Sequence, residues 1–239
     1  MDTYQDGERY LLCEKRIVFF LLMVNSGMMG AYTFTQRGGV FCNAQTANIV
    51  MMSIALGQGR IRDGLYFLIP ISAYFLGSFI SELLPGPVKQ RGRLRWDTVL
   101  IGIELAANFI IGFVPLTVPH RIVQVMINFL ASMQYNTFRQ AEGVPMATTF
   151  CTNHVRQLGI AAARRIRKGD REAGGRFLLH LIMLCGFLGG GIILSLLGKY
   201  WSGRVIWISL IPLGIIFVNL IYADIKTERE YHSMKPHGH

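Results

Sequence analysis

Long uncharged apolar runs alternate along this chain with short islands of charge. Six of the runs have the length a bilayer demands of a spanning helix, about 20 residues. They extend from Ile17 to Thr35, Gly64 to Leu84, Thr98 to Val118, Ile122 to Phe138, Phe177 to Leu197 and Val205 to Tyr222. Two further stretches carry helical patterns but polar side chains, one from Asn43 to about Gln58 and one from Thr148 to about Ile166. The pattern predicts an all-α fold: a polytopic integral membrane protein with six firm transmembrane helices and two polar helices that either re-enter or span.

Composition agrees with this. Of 239 residues, 51% are hydrophobic and 16% are charged, and the charge falls well below the roughly 25% of a soluble domain. The net charge of +10 does not mark a nucleic-acid partner, because the basic residues sit in connections between apolar runs and form no continuous basic face. Cys13, Cys42, Cys151 and Cys185 are far apart with no CxxC pair, which leaves no zinc signature, no disulfide framework and no cofactor motif. Asp2, Asp6, Glu8 and Glu14 precede the first apolar run, unlike the basic start of a cleavable signal peptide, so insertion is expected to rely on the first spanning helix.

The two polar stretches also reveal an internal repeat. Asn48 precedes Asn153 by 105 positions, as Arg60-Ile61-Arg62 precedes Arg165-Ile166-Arg167 and Gly38 precedes Gly143. Small shifts extend the alignment to Asn25 with Asn128, Gln36 with Gln140, and Leu83-Leu84 with Leu196-Leu197. The expected organisation is a segment 1–16, a first membrane repeat 17–118, a second repeat 119–226 and a tail 227–239.

The glycine-led loop and polar helix from Gly38-Gly39-Val40-Phe41 to Asn48, with Gly143-Val144-Pro145 to Asn153 in the second half, make nearly the whole chain resemble the YoaK family of small bacterial membrane proteins, a domain of unknown function. Members often read Thr-Gly-Asn where this chain has Thr46-Ala47-Asn48. The resemblance implies residence in the bacterial cytoplasmic (inner) membrane and no particular activity.

Charge counting orients the chain, since short cytoplasmic loops collect Lys and Arg. With re-entrant polar helices there are six crossings and a cytoplasmic N-terminus. Eighteen of the 24 basic residues then fall inside, Arg9, Lys89, Arg91, Arg93, Arg95, Arg156 and Lys235 among them, and six outside, including Arg37. Eight crossings separate the charges less well and leave Arg156 within the membrane. Three crossings per half make the repeats inverted, an arrangement used by many transporters; eight would make them parallel.

A helix that starts inside the membrane points free N–H groups and the positive end of its dipole at the centre. Irregular backbone survives there only against protein or a watery cavity. The stretches from Phe34 to Asn43 and from Gln140 to Thr148 are therefore expected to line a cavity, with Asn43, Gln45, Thr46, Asn48, Thr148, Thr149, Thr152 and Asn153 as substrate-binding donors and acceptors. The competing reading is that these side chains cap helices or tie neighbouring spans together.

Glu104 interrupts the apolar run Ile101 to Asn108, where a carboxylate costs several kcal/mol unless protonated or paired. It is expected at the site, with Asn108 four residues on along the same face. A structural pair with Arg156 or His154 is the alternative. Arg156 and His154 also count as binding candidates, although Arg156 can equally snorkel to headgroups. Asn25, Gln124, Asn128, Gln134 and Asn136 lie within runs and either line the cavity or bridge helices. Gly186 and Gly190 form a small-xxx-small pair that reads as a helix contact or a homodimer seam.

No hydrolase, metalloprotease or phosphate-loop motif is present. The expected protein is not an enzyme but a transporter or channel for a small polar or ionic solute, with membrane lipids as its other partners. A scaffold or sensor, and an intramembrane hydrolase built on Glu104 and His154, are the competing classes.

Overall fold

The computed structural model describes residues 10–84, 94–229 and 236. Asp2, Asp6, Glu8, Arg9, Lys89, Arg91, Arg93 and Lys235, used above to read the termini and loop charges, lie outside the described residues. The chain is helical nearly throughout: α1 Arg16–Gln36, α2 Gln45–Gly57, α3 Ile61–Tyr66, α4 Leu68–Leu83, α5 Trp96–Ile111, α6 His120–Thr137, α7 Thr152–Lys168, α8 Arg171–Trp201 and α9 Leu210–Tyr222. Among the described residues three stretches are long and apolar enough to cross a membrane: Arg16–Gln36, Ile61–Leu83 and Arg171–Thr227. Large apolar side chains such as Phe75, Leu188 and Val218 face outward and stay exposed. Such a surface suits lipid and not water, and it marks the chain as a membrane protein.

Three expected boundaries change for local reasons. The run from Thr98 stops at Ile111, because Gly112 and Pro115 interrupt it and proline removes helical hydrogen bonds. The run from Gly64 divides at Phe67 into α3 and α4. The last run enters as a 3₁₀ turn, Ser202–Ser209, before α9. The all-α expectation also gains a small exception. Gln140–Ala141 (β1) pairs antiparallel with Val144–Pro145 (β2), because Glu142 and Gly143 both adopt positive φ (47° and 76°), the geometry of a two-residue hairpin turn.

Contacts between helices set their directions. Along α8, Gly186 lies beside Phe20, Gly190 beside Val24, Gly191 beside Gly27 and Gly198 beside Gln36, so α1 and α8 run parallel. Tyr66, Gly77 and Ser81 meet Gln124, Ser132 and Thr137 in the same order, so α3–α4 and α6 also run parallel. By contrast α1 opposes α6, with Phe19 against Phe138, Ser26 against Gln134 and Arg37 against Gln124. Helix α5 opposes α9, with Thr98 bonded to Asp224 and Asn108 to Ser209. Because Gly203 receives the Tyr32 hydroxyl at one end of α1 while Glu228 receives Leu12 N–H near the other, the stretch Arg171–Thr227 folds back on itself. The reversal falls at Ser202, whose φ of 49° breaks the helix.

Gly186 and Gly190 therefore serve a contact within the chain. A Cβ at Gly190 would collide with the Val24 carbonyl, and one at Gly77 would collide with Phe129 and Ser132 in the matching α4–α6 contact.

Two apolar clusters fill the interior. One contains Phe19, Leu22, Leu100, Ile101, Met133 and Leu213; the other contains Met28, Tyr32, Ile111, Val123, Ile127 and Val205. Between them, at matching depths on α1, α5, α6 and the turn before α9, lie the buried polar residues Asn25, Ser26, Glu104, Asn108, Asn128, Gln134 and Ser209. A polar layer thus divides two dry ones.

Arginines that look like loop charges in the sequence are buried at the two ends. Arg95 is closed in with Asp97 and Glu228, and its backbone N–H donates to Asp224. Burial lifts the Glu228 carboxyl above the usual carboxylate range, and the Leu12 N–H and Arg95 oppose that rise. At the opposite end Arg37 is 0% exposed. Its Nε donates to the Tyr32 hydroxyl (2.9 Å), Nη1 to Pro115 O (3.1 Å) and Nη2 to Val114 O (2.6 Å).

Both polar segments leave and return at the same end. The first departs at Arg37, reaches the Ser26 carbonyl with Asn43, and is back beside Gln124 by Tyr66. The second departs near Glu142, which pairs with Arg16 at 2.8 Å, and reaches Thr149 within interaction range of Tyr74 on α4. It returns to the Arg16 end where α8 begins.

Candidate functional site

The polar layer encloses a cavity of about 20 Å³, lined by Asn25, Ser26, Asn43, Glu104, Asn108 and Gln134 with apolar neighbours that include Met29, Cys42 and Ile127. That is room for about one water. Four elements build it. Helix α1 brings Asn25 and Ser26, α5 brings Glu104 and Asn108 one turn apart, and α6 brings Gln134. The loop before α2 brings Asn43, because Gly38 and Gly39 with φ of 84° and 74° turn the chain inward after α1, a conformation suited to glycine.

Glu104 is 3% exposed, and its Oε1 has no hydrogen-bond partner. Among the described residues no ion pair reaches it. Asn25 Oδ1 is likewise buried and unpartnered. The other amides are turned the same way. Asn43 Nδ2 donates to Ser26 O at 3.1 Å, Asn108 Nδ2 to Ser209 Oγ at 3.1 Å, and Gln134 Nε2 to Ser26 Oγ at 3.1 Å. The partners dictate the orientations of Asn43 and Asn108. A backbone carbonyl only accepts, and the Ser209 hydroxyl already donates to Ile206 O, so an NH₂ group must face each of them.

The remaining sequence candidates are placed elsewhere. Gln45 donates to Asn128 Oδ1 (2.9 Å) and to Cys42 O, and Asn48 clasps the Phe41 backbone and Gln45 Oε1. These two hold the first loop in shape behind Asn43. Thr46 and Thr152 are exposed. Asn153 is half-buried and accepts from Arg156, which is itself exposed. Thr148 and Thr149 are buried but lie outside the cavity lining. His154 is 0% exposed, with Nε2 on Ala147 O at 2.7 Å and Nδ1 on His180 Nδ1 at 3.0 Å.

Two expectations are thereby corrected. Neither Arg156 nor His154 pairs with Glu104, so the structural ion pair and the Glu104–His154 hydrolase arrangement are both missing from the described residues. The second polar loop does not open onto the cavity as the first does, because the hairpin and the His154–His180 contact hold it against α8. Of the residues left between cavity and bridge, Asn25 and Gln134 line the cavity. Gln124 donates to Arg37 O at the end of α1 and Asn128 accepts from Gln45 of α2, so both bridge helices, and Asn136 joins Glu82 and Arg139. Ser26, Cys42 and Met29 are not among the residues that the sequence alone marks for the site. Counting turns to the depth of Glu104 in the neighbouring apolar runs points to Ser26.

Fold and site together define an α-helical membrane protein with a buried polar layer of amides around one carboxyl. The chain belongs to the family described as Protein of unknown function (DUF1275), which matches residues 18–219. Comparison with curated proteins and with solved structures gives no match for either.

Proposed function

We propose that this chain is a membrane transporter or channel that passes a small polar or ionic solute through the layer around Glu104. The single observation that carries the reading is the Glu104 carboxyl, buried without a partner beside a cavity walled by amides. A carboxyl so placed costs several kcal/mol, and nothing in the packing offsets that cost, so its retention favours a role in moving charge or solute over a role in holding helices together.

The proposed topology has six crossings, formed by α1, α3–α4, α5, α6, α8 and α9, with α2 and α7 re-entering from opposite faces. Its support lies in the alternating helix directions and in the return of each polar segment to the end it left. The proposed inverted repeat draws support from the contacts. The parallel pair α1–α8 and the parallel pair α6–α4 exchange if the halves are exchanged, and the spacing that aligns Leu83 with Leu196 also aligns Gly77 with Gly190. Each of those glycines carries the close approach in its own pair. Charge counting then places the Arg95 end in the cytoplasm of a bacterial inner membrane.

Flux into reconstituted vesicles tests the activity. A panel of small polar and ionic solutes is expected to include one whose uptake is saturable in wild type and at least tenfold slower in Glu104→Gln, a loss of about 1.4 kcal/mol or more in the barrier. Uptake of that solute at equal rates by wild type and Glu104→Gln would refute the assignment.

A further inference from the structure

The polarity of the cavity specifies its occupant more narrowly, an inference that rests on the reading of Glu104 as a working site. The amides on the wall are bonded through nitrogen or have an unpartnered oxygen: Asn43 and Gln134 donate to Ser26, Asn108 donates to Ser209, and Asn25 Oδ1 has no partner. The wall thus carries the oxygens of four amides and the Glu104 carboxyl, with Glu104 Oε1 and Asn25 Oδ1 unpartnered. No basic side chain lines it. The basic residues on the flanking segments are engaged elsewhere, with Arg37 bonded to three neutral oxygens, Arg156 exposed beside Asn153, and His154 closed onto His180 and Ala147.

We infer that this cavity binds one small, dehydrated monovalent cation of the Na⁺ or Li⁺ type, with the Glu104 carboxylate as its counter-charge and the amide oxygens of Asn25, Asn43, Asn108 and Gln134 available to replace its water. Three features fix the class. An anion meets the Glu104 carboxyl and no basic side chain on the wall, so it is repelled. A hard cation takes oxygen ligands, and these are what the wall offers. The charge is single: one carboxylate balances one positive charge, and among the described residues no group of three or more Asp, Glu, His or Cys side chains is placed to hold a metal ion, as a divalent ion would favour. The void of about 20 Å³ has space for one water-sized particle, so an ion must enter stripped of its shell and be solvated by the wall, as coupling ions are at the broken-helix sites of transporters.

Thermal unfolding of the full chain in detergent at pH 8 provides the test, with NaCl or LiCl replaced stepwise by choline chloride at constant ionic strength. Ligand that binds only the folded protein raises its stability with concentration, so Na⁺ or Li⁺ is expected to raise Tm saturably, by about 3 °C at saturation. Choline, too large for the void, is expected to leave it unchanged. Equilibrium dialysis with ²²Na⁺ is expected to show one site per chain, lost in Glu104→Gln and weakened in Asn108→Leu. Equal Tm in Na⁺, Li⁺ and choline overturns the inference, and so does stabilisation by acid alone, which would make Glu104 a plain proton carrier. The wild-type comparison decides the matter even where a variant fails to fold. Cation binding without solute flux would leave this inference standing and end the transport reading, whereas flux indifferent to the cation, with no ²²Na⁺ bound, would do the reverse.

Discussion

The two polar segments begin alike and end differently. Each opens on a glycine with positive φ, Gly38 and Gly143, and each dips inward and returns to the end it left. The first delivers Asn43 to the Glu104 cavity. The second buries Thr148 and Thr149 in packing and closes with His154 on His180. Their aligned asparagines diverge in the same way, since Asn48 clasps the Phe41 backbone inside the protein while Asn153 meets only exposed Arg156. Common backbone geometry therefore does not carry common chemistry. A loop becomes part of a site only where its turn aims an unspent polar atom at a void.

The largest effect is expected from the anchor of the first segment. Arg37→Met removes three hydrogen bonds from a buried cation and leaves Tyr32 and the Val114 and Pro115 carbonyls without their donor, a loss on the order of 3–5 kcal/mol. The anchor of the second segment is weaker. Glu142 pairs with Arg16 nearer the surface, so Glu142→Ala should cost about 1 kcal/mol or less. Equal shifts in the melting temperature of the two variants would remove the asymmetry between the loops.

Much of this architecture is legible in the sequence. The first apolar run, Ile17 to Thr35, coincides with α1 at Arg16–Gln36; the polar stretch from Asn43 to Gln58 holds α2 at Gln45–Gly57. Glu104 stands out because a charge inside an apolar run has no cheap explanation. The rest depends on contacts that local pattern does not encode. Arg37 ends an apolar run and so looks like a headgroup residue, but its acceptors Val114 and Pro115 lie 77 and 78 positions away. Thr148 and Asn43 look equally suited to line a cavity, and only the three-dimensional path of each loop separates them. The Glu142-Gly143 turn was legible as a break but not as a hairpin, because two-residue strands carry no alternation to read.

The comparison is sharpened at Asn43 and Thr148. Asn43→Leu removes the bond to Ser26 O and lines the cavity with hydrocarbon, so solute uptake should fall at least about tenfold, with about 1–2 kcal/mol of stability lost alongside. Thr148→Val deletes a buried hydroxyl that has no partner. Because such a group carries a desolvation cost without a hydrogen bond to offset it, the change should be neutral or stabilising by up to about 1 kcal/mol, with uptake unchanged. A Thr148→Val variant that lost uptake would place the second loop in the route after all.

The closure of the second loop can be opened from the other side. His154 Nε2 faces a carbonyl, so it carries the proton, and Nδ1 must accept from His180. His180→Leu strands that acceptor at a position 0% exposed, and should lower stability by about 1–3 kcal/mol. Replacing both histidines with leucine should cost less than the sum of the two single changes, since no orphan nitrogen is left on either side. Strict additivity in that cycle would mean the contact contributes nothing to holding α7 on α8.

The smallest effect belongs to the residue that most resembled a ligand-binding cation in the sequence. Arg156 is exposed on α7 and, among the described residues, bonds only Asn153, three positions earlier on its own helix. An exposed pair of this kind contributes about 0.5 kcal/mol or less. Arg156→Gln should therefore leave melting, Na⁺ dependence and uptake close to wild type in the same vesicles where Glu104→Gln fails. The contrast matters because both side chains are ionisable and both lie near expected helix starts, yet one faces outward with its charge solvated while the other is shut in with none of its own to meet. If Arg156→Gln cut uptake as deeply as Glu104→Gln, the route would have to pass the second loop, and the division of labour between the two polar segments would be lost.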